Sequence, residues 1–190
     1  MFVDLVGYTA QASRESRARL IAMLMRQRVL VEAVVLPRGG KIVKSLGDGL
    51  LVTLPSATEA ILSAAEIQRR GITNERRAAA ATSASAELPM RIGISTGEVV
   101  THDGDVYGDC VNVASRLQSL ASPGEVYFSE ASYQTMNRAE VRHECVGEVQ
   151  LKGVLEKVRV FRALQVESAK PACSDSSTSR RGRSTSRSRR

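Results

Sequence analysis

Short β-like runs alternate with helical stretches along this chain, and that alternation decides which folds are open to it. Phe2-Val3-Asp4-Leu5-Val6 is a strand-like run closed by Gly7. Polar residues 9–15 lead into a helical pattern in which Leu20, Leu24, Val31 and Val34 or Val35 recur at spacings of three, four and seven. Pro37 and the pair Gly39-Gly40 end it. Lys41-Ile42-Val43-Lys44 and Leu50-Leu51-Val52-Thr53-Leu54 flank the tight corner Gly47-Asp48-Gly49 and read as a hairpin. Ser56 with Glu59 makes a capping box for a second helix, whose apolar positions are Ala60, Ile61, Ala64 and Ile67. Residues 71–89 include an alanine- and serine-rich run with no apolar face, so a mobile connector is expected there.

Strands are expected at 90–95 and 98–101, with a turn at Asp103-Gly104, then a helix over 109–120 packing through Val113, Leu117 and Leu120. Pro123-Gly124 stops that helix. A strand at 126–128, a short helix at 129–136 and strands at 146–151 and 158–161 follow, the last two flanking Lys152-Gly153. Strands alternating with helices, with hairpins between some strands, define an α/β (α+β) class in which helices pack on one sheet. There is no internal repeat.

The net charge of +7 misdescribes the folded part. Residues 168–190 hold seven basic groups and one acidic group, which leaves 20 basic and 19 acidic groups in residues 1–167. A near-neutral body lacks the basic face of a nucleic-acid-binding domain, and three Phe, four Tyr and no Trp offer no stacking platform. No nucleic acid is therefore required as a partner. The tail, with Pro171, many Ser and Thr and six Arg, cannot bury enough surface to fold. It is expected to be disordered over 166–190 and suited, through 168–190, to weak salt-sensitive contact with an anionic surface.

The most apolar stretch, 29–36, is interrupted by Glu32 and stopped by Pro37, far short of the ~20 residues a membrane span needs. No basic flank and apolar run mark a signal peptide at the N-terminus. Cys110, Cys145 and Cys173 are scattered, and neither His102 nor His143 stands at zinc-ligand spacing from them. A reduced, cytoplasmic compartment is expected, and a Ser-His-Asp or Cys-His site is disfavoured.

Asp4 stands inside an apolar strand, where an unpaired carboxylate is costly to bury. Asp48 sits between two glycines that permit close backbone approach. If their strands share a sheet, the two carboxylates can converge on a hard cation; otherwise Asp48 is a turn former and Asp4 a strand-end cap. Asn112 and Arg116 share a helix face and together suit a phosphate, or else form a solvated face. Arg91 and Lys152 alone read as surface cations.

Taken in order, however, the blocks Phe2-Val3-Asp4-Leu5-Val6-Gly7-Tyr8-Thr9, Lys44-Ser45-Leu46-Gly47-Asp48-Gly49, Arg91-Ile92-Gly93-Ile94-Ser95-Thr96-Gly97, Asp105-Val106-Tyr107-Gly108-Asp109-Cys110-Val111-Asn112-Val113-Ala114-Ser115-Arg116 and Leu151-Lys152-Gly153 resemble the class III nucleotidyl cyclase catalytic domain. The resemblance implies a ferredoxin-like sandwich over 1–165 and an adenylate cyclase making 3′,5′-cyclic AMP and pyrophosphate from ATP. It implies two Mg²⁺ or Mn²⁺ per site on Asp4, Asp48 and the Leu5 carbonyl. Lys44 and Asp105 would read the purine, in the adenine-selecting combination. Asn112 would orient the ribose, Arg116 would stabilise charge on the α-phosphate, and Arg91 and Lys152 would hold the outer phosphates. The amides of residues 6–9 would lie near the triphosphate. In this family the metal carboxylates and purine readers of one site come from opposite subunits, so a homodimer is implied. The rival expectation is a catalytically silent cyclase-homology domain that dimerises and regulates a partner.

Overall fold

The computed structural model describes residues 1–80 and 88–164. Its first half runs β1 (Phe2–Leu5), a one-turn α1 (Tyr8–Ala12), α2 (Arg17–Val35), β2 (Lys41–Leu46), β3 (Gly49–Thr53), α3 (Ala57–Ala80) and β4 (Met90–Ile94). The second half adds a hairpin of β5 (Val100–His102) and β6 (Asp105–Tyr107), α4 (Asp109–Leu120), β7 (Val126–Ser129), α5 (Glu130–Thr135), β8 (His143–Val149) and β9 (Val158–Ala163). Seven strands form one sheet in the order β2-β3-β1-β4-β7-β9-β8. Its neighbours are antiparallel except β4 and β7, which run parallel on either side of α4. The order β2-β3-β1-β4 around a β-α-β-β-α-β unit is the ferredoxin-like arrangement, here extended by three strands. The expected class, one sheet with packed helices, is what the chain forms.

The period-two alternation of the central strands sorts core from chemistry. Val3 and Leu5 of β1, Leu50 and Val52 of β3, and Met90, Ile92 and Ile94 of β4 enter the main core beneath α2 and α3. The intervening Asp4, Arg91 and Gly93 lie on the opposite face, under α4. There Leu117 joins Leu151 and Val160 in a second, smaller core. A Cβ at Gly93 would stand 2.2 Å from both the Ala114 carbonyl and the Gln118 amide nitrogen, so α4 rests backbone to backbone on β4.

The expected cap at Ser56 forms, and two further helix starts are capped by serine. Ser16 Oγ accepts from the Arg19 amide at 3.4 Å, Ser56 Oγ from Glu59 at 3.1 Å, and Ser129 Oγ from Ser132 at 3.4 Å. Several expectations are corrected. The connector foreseen at 71–89 is helical through Ala80, its first turn seated against the core with Gly71 buried beside Met90; its segment 81–87 lies outside the described residues. Tyr8–Ala12, read as a polar lead-in, forms a helical turn. The strand expected at 98–101 begins only at Val100, and β8 begins at His143 instead of at 146. On α2 the buried line is Met23, Gln27, Val31, Val34 and Val35, which leaves Leu20 and Leu24 half-buried. On α4 Leu120 is exposed, and Ala114, Leu117 and Gln118 form the buried face instead. The tail expected at 166–190 lies outside the described residues.

Candidate active site

In the sheet Asp4 stands between Gly49 of β3 and Arg91 of β4. Arg91 Nε and Nη2 both donate to Asp4 Oδ2 at 2.9 Å, and Gln118 Nε2 donates to the same oxygen at 2.9 Å. The other oxygen, Oδ1, accepts no hydrogen bond among the described residues and faces Gly49, where a Cβ would lie 3.4 Å from it.

Asp48 belongs to the two-residue turn between β2 and β3, whose left-handed first residue is Gly47 (φ 67°). Gln27, buried on α2, donates Nε2 to the Asp48 carbonyl at 3.1 Å and fixes the turn. Burial first, and the negative charge of Asp4 second, push the Asp48 carboxyl above its usual range; its own turn amide and Arg91 offset part of this. A carboxylate whose proton affinity is raised by burial and by a neighbouring carboxylate marks a site that a cation would relieve. Oxygen donors of this kind fit Mg²⁺ or Mn²⁺ better than a soft metal. Among the described residues no third His, Cys, Asp or Glu joins them, so further ligands would be backbone oxygens, water or substrate. Leu5 follows Asp4 beyond the last β1–β3 residue pair, with its side chain in the core.

A second cluster forms 61 residues apart in sequence, where Lys44 Nζ donates to Asp105 Oδ2. A register shift between Ile42 and Lys44 makes a bulge in β2 that re-aims Lys44 away from its partner strand. Asp103 (φ 50°) and Gly104 (φ 76°) form the left-handed two-residue turn that presents Asp105 at the start of β6. Asp105 Oδ1 also accepts from the Val106 amide at 2.8 Å. Lys44 first and that amide second hold the Asp105 carboxyl below its usual range.

Asn112 and Arg116 project from the exposed face of α4, and neither makes a hydrogen bond or ion pair among the described residues. Lys152 is likewise exposed and unpaired among them. Its loop is anchored by buried Leu151 against Leu117 and by the Val154 amide on the Leu151 carbonyl at 3.1 Å. The structure thus groups Asp4, Asp48 and Arg91 in one corner and Lys44 with Asp105 in another. It leaves Asn112, Arg116 and Lys152 free of both. Of the amides at residues 6–9, that of Val6 donates to the Pro89 carbonyl at 2.8 Å. Gln27 and Gln118 were not foreseen. Their signal was a polar residue at i+4 within a buried helical stripe, at 23, 27 and 31 and at 114, 117 and 118.

Residues 1–164 match the family model of the adenylate and guanylate cyclase catalytic domain, and the chain belongs to that family. A putative adenylate cyclase 3 of Rhizobium meliloti is 28% identical over 165 residues, covering 83% of this chain and 26% of the relative. An adenylate cyclase of Streptomyces coelicolor is 34% identical over 139 residues, covering 72% of this chain and 33% of the relative. The chain therefore spans about a quarter to a third of the length of these curated relatives. The crystal structure of the adenylyl cyclase CyaB from P. aeruginosa superposes with a TM-score of 0.74 at 22% identity, covering 88% of this chain and 93% of that one. No helix among the described residues is long and apolar enough to cross a membrane.

Proposed function

We propose that this chain is an adenylate cyclase, converting ATP to 3′,5′-cyclic AMP and pyrophosphate as a homodimer with two divalent cations per site. The observation that carries the choice of base is the Lys44–Asp105 pair, already assembled from β2 and β6. With lysine facing purine position 1 and aspartate facing position 6, the donor meets adenine N1 and the acceptor meets its 6-amino group. Guanine reverses both polarities, with a proton on N1 and an oxygen at position 6.

In the reaction the ribose 3′-oxygen bonds to the α-phosphorus while the bond from that phosphorus to the bridging oxygen breaks, releasing pyrophosphate and the hydroxyl proton. Asn112 orients the ribose, and the Arg116 guanidinium offsets charge developing on the α-phosphate. Arg91 and Lys152 hold the outer phosphates. Magnesium or manganese held by Asp4, Asp48 and the Leu5 carbonyl would lower the pKa of the attacking hydroxyl and offset triphosphate charge. The homodimer is supported by the exposed, unpaired state of Asn112 and Arg116, which are free to act on a triphosphate held by a second copy.

The test is to incubate the purified chain with ATP or GTP and Mn²⁺ or Mg²⁺ and to quantify cyclic products. Cyclic AMP should exceed cyclic GMP at least ~tenfold, since a reversed base leaves buried polar groups unpaired at ~1–3 kcal/mol each. Equal or greater cyclic GMP would overturn the base assignment. No cyclic product from a folded dimer would overturn the enzyme reading in favour of a silent dimerising module.

A further inference from the structure

We infer that Gln118 is a positioning residue for the cation site, holding Asp4 in place when Arg91 is drawn to the phosphates; this rests on the cyclase reading above. Asp4 Oδ2 receives three donors, two from Arg91 and one from Gln118, while Oδ1 receives none among the described residues and faces the Asp48 turn. The carboxylate is thus held by one oxygen and open at the other. The two kinds of donor differ in what they cost a cation. Arg91 has a full positive charge, which competes with a divalent ion for the same carboxylate and is also what a triphosphate attracts. Gln118 is neutral. It fixes the carboxylate without cancelling its charge, so it can stay when the cation arrives.

Its own position is well determined. Gln118 is 8% exposed, and its backbone nitrogen lies directly over Gly93, at the closest approach of α4 to the sheet. The amide therefore reaches Asp4 from a backbone packed directly against the sheet. Once Arg91 leaves, Gln118 is the sole remaining described donor to Asp4 Oδ2. Gln27 does the parallel service for the other carboxylate through the Asp48 backbone, but touches no carboxylate oxygen.

The experiment is direct binding of Mn²⁺ alone to the full chain, followed by electron paramagnetic resonance of the free ion, alongside cyclase assays. Gln118→Met keeps the volume and removes the donor. It should weaken Mn²⁺ binding about tenfold, the scale seen when a group supporting a metal ligand is lost. At saturating Mn²⁺ its kcat should stay within about threefold of wild type. In an Arg91→Gln background the same change should weaken Mn²⁺ binding more than it does alone, because no second donor then holds Asp4. Gln118→Asn, which retains the amide but shortens its reach, must show the same loss if the methionine variant does not fold. Wild-type Mn²⁺ affinity in a folded Gln118 variant, or strictly additive effects with Arg91→Gln, would overturn the inference while leaving an active wild-type cyclase untouched. A wild-type chain that binds Mn²⁺ but forms no cyclic nucleotide would overturn the cyclase reading instead. A wild-type chain that binds no Mn²⁺ alone yet forms cyclic nucleotide would overturn the inference and leave the cyclase reading standing.

Discussion

The two faces of α4 meet opposite conditions. Inward, Ala114, Leu117 and Gln118 are buried against β4, and Gln118 is hydrogen-bonded to Asp4. Outward, Asn112 and Arg116 face solvent with no partner among the described residues. A buried polar group left unbonded costs more than it gains, so the inward face had to be completed during folding. An exposed guanidinium stays hydrated at little cost and can be redirected to whatever anion arrives. One helix thus has a half fixed before any ligand binds and a half that something else must complete.

The strongest test of this division compares a change on each side. Asp4→Asn and Arg116→Ala should each lower cyclase activity by about a thousandfold or more, since each removes a charge the reaction uses. Both proteins should stay folded and dimeric. If sites are shared between copies, mixing the two should restore about a quarter of wild-type activity, because half the dimers are mixed and each holds one intact site. No recovery after demonstrated subunit exchange would break the idea that the outward face serves a second copy.

Stability should separate the faces next. Gly93→Ala drives a methyl group into the α4 backbone and should cost ~3 kcal/mol, lowering Tm by roughly 6–12 °C in calorimetry. Arg116→Ala should change stability by less than ~0.5 kcal/mol. Comparable Tm values for the two would mean that α4 is not seated as described.

The smallest effect lies in the carboxylate corner. Without a cation, Asp48→Asn removes one of two like charges and should raise Tm by ~2 °C or less in EDTA, because a partly exposed charge is screened. Wild-type Asp48 is raised, so its neutral form carries no penalty at low pH, and the folded state loses stability as pH rises through its titration. The two proteins should therefore coincide near pH 4 and diverge towards pH 7. A variant less stable than wild type at pH 7 would show that the turn depends on the Asp48 carboxylate itself.

Much of this was legible in the chain, and the rest failed for identifiable reasons. The runs at 2–6 and 90–95 are legible as strands from their apolar content, but that Val3, Leu5 and Ile92 face the core while Asp4 and Arg91 face α4 emerges only once the sheet is paired. The alanine run misleads because a missing apolar face does not mean a missing helix: α3 continues to Ala80 from a turn packed at Gly71. The Lys44–Asp105 contact is invisible to spacing, since it needs both the β2 bulge and the Asp103-Gly104 turn. Gln118 was readable in principle but was passed over for Leu120, the more apolar residue two positions on. Hydrophobicity marks which side chains can be buried, and it does not mark a polar one that must be.

The contact at Gly93 also bears on how such a domain is switched. With no side chain between strand and helix, α4 and β4 pack backbone against backbone, which favours their moving together. A signal from elsewhere in a longer polypeptide would therefore find no soft joint in this helix. If two copies pair as proposed above, rotating one protomer against the other would carry the sheet and α4 together, like a key and its blade. The angle between two copies, set by whatever is attached to them, would then be the quantity that a stimulus adjusts.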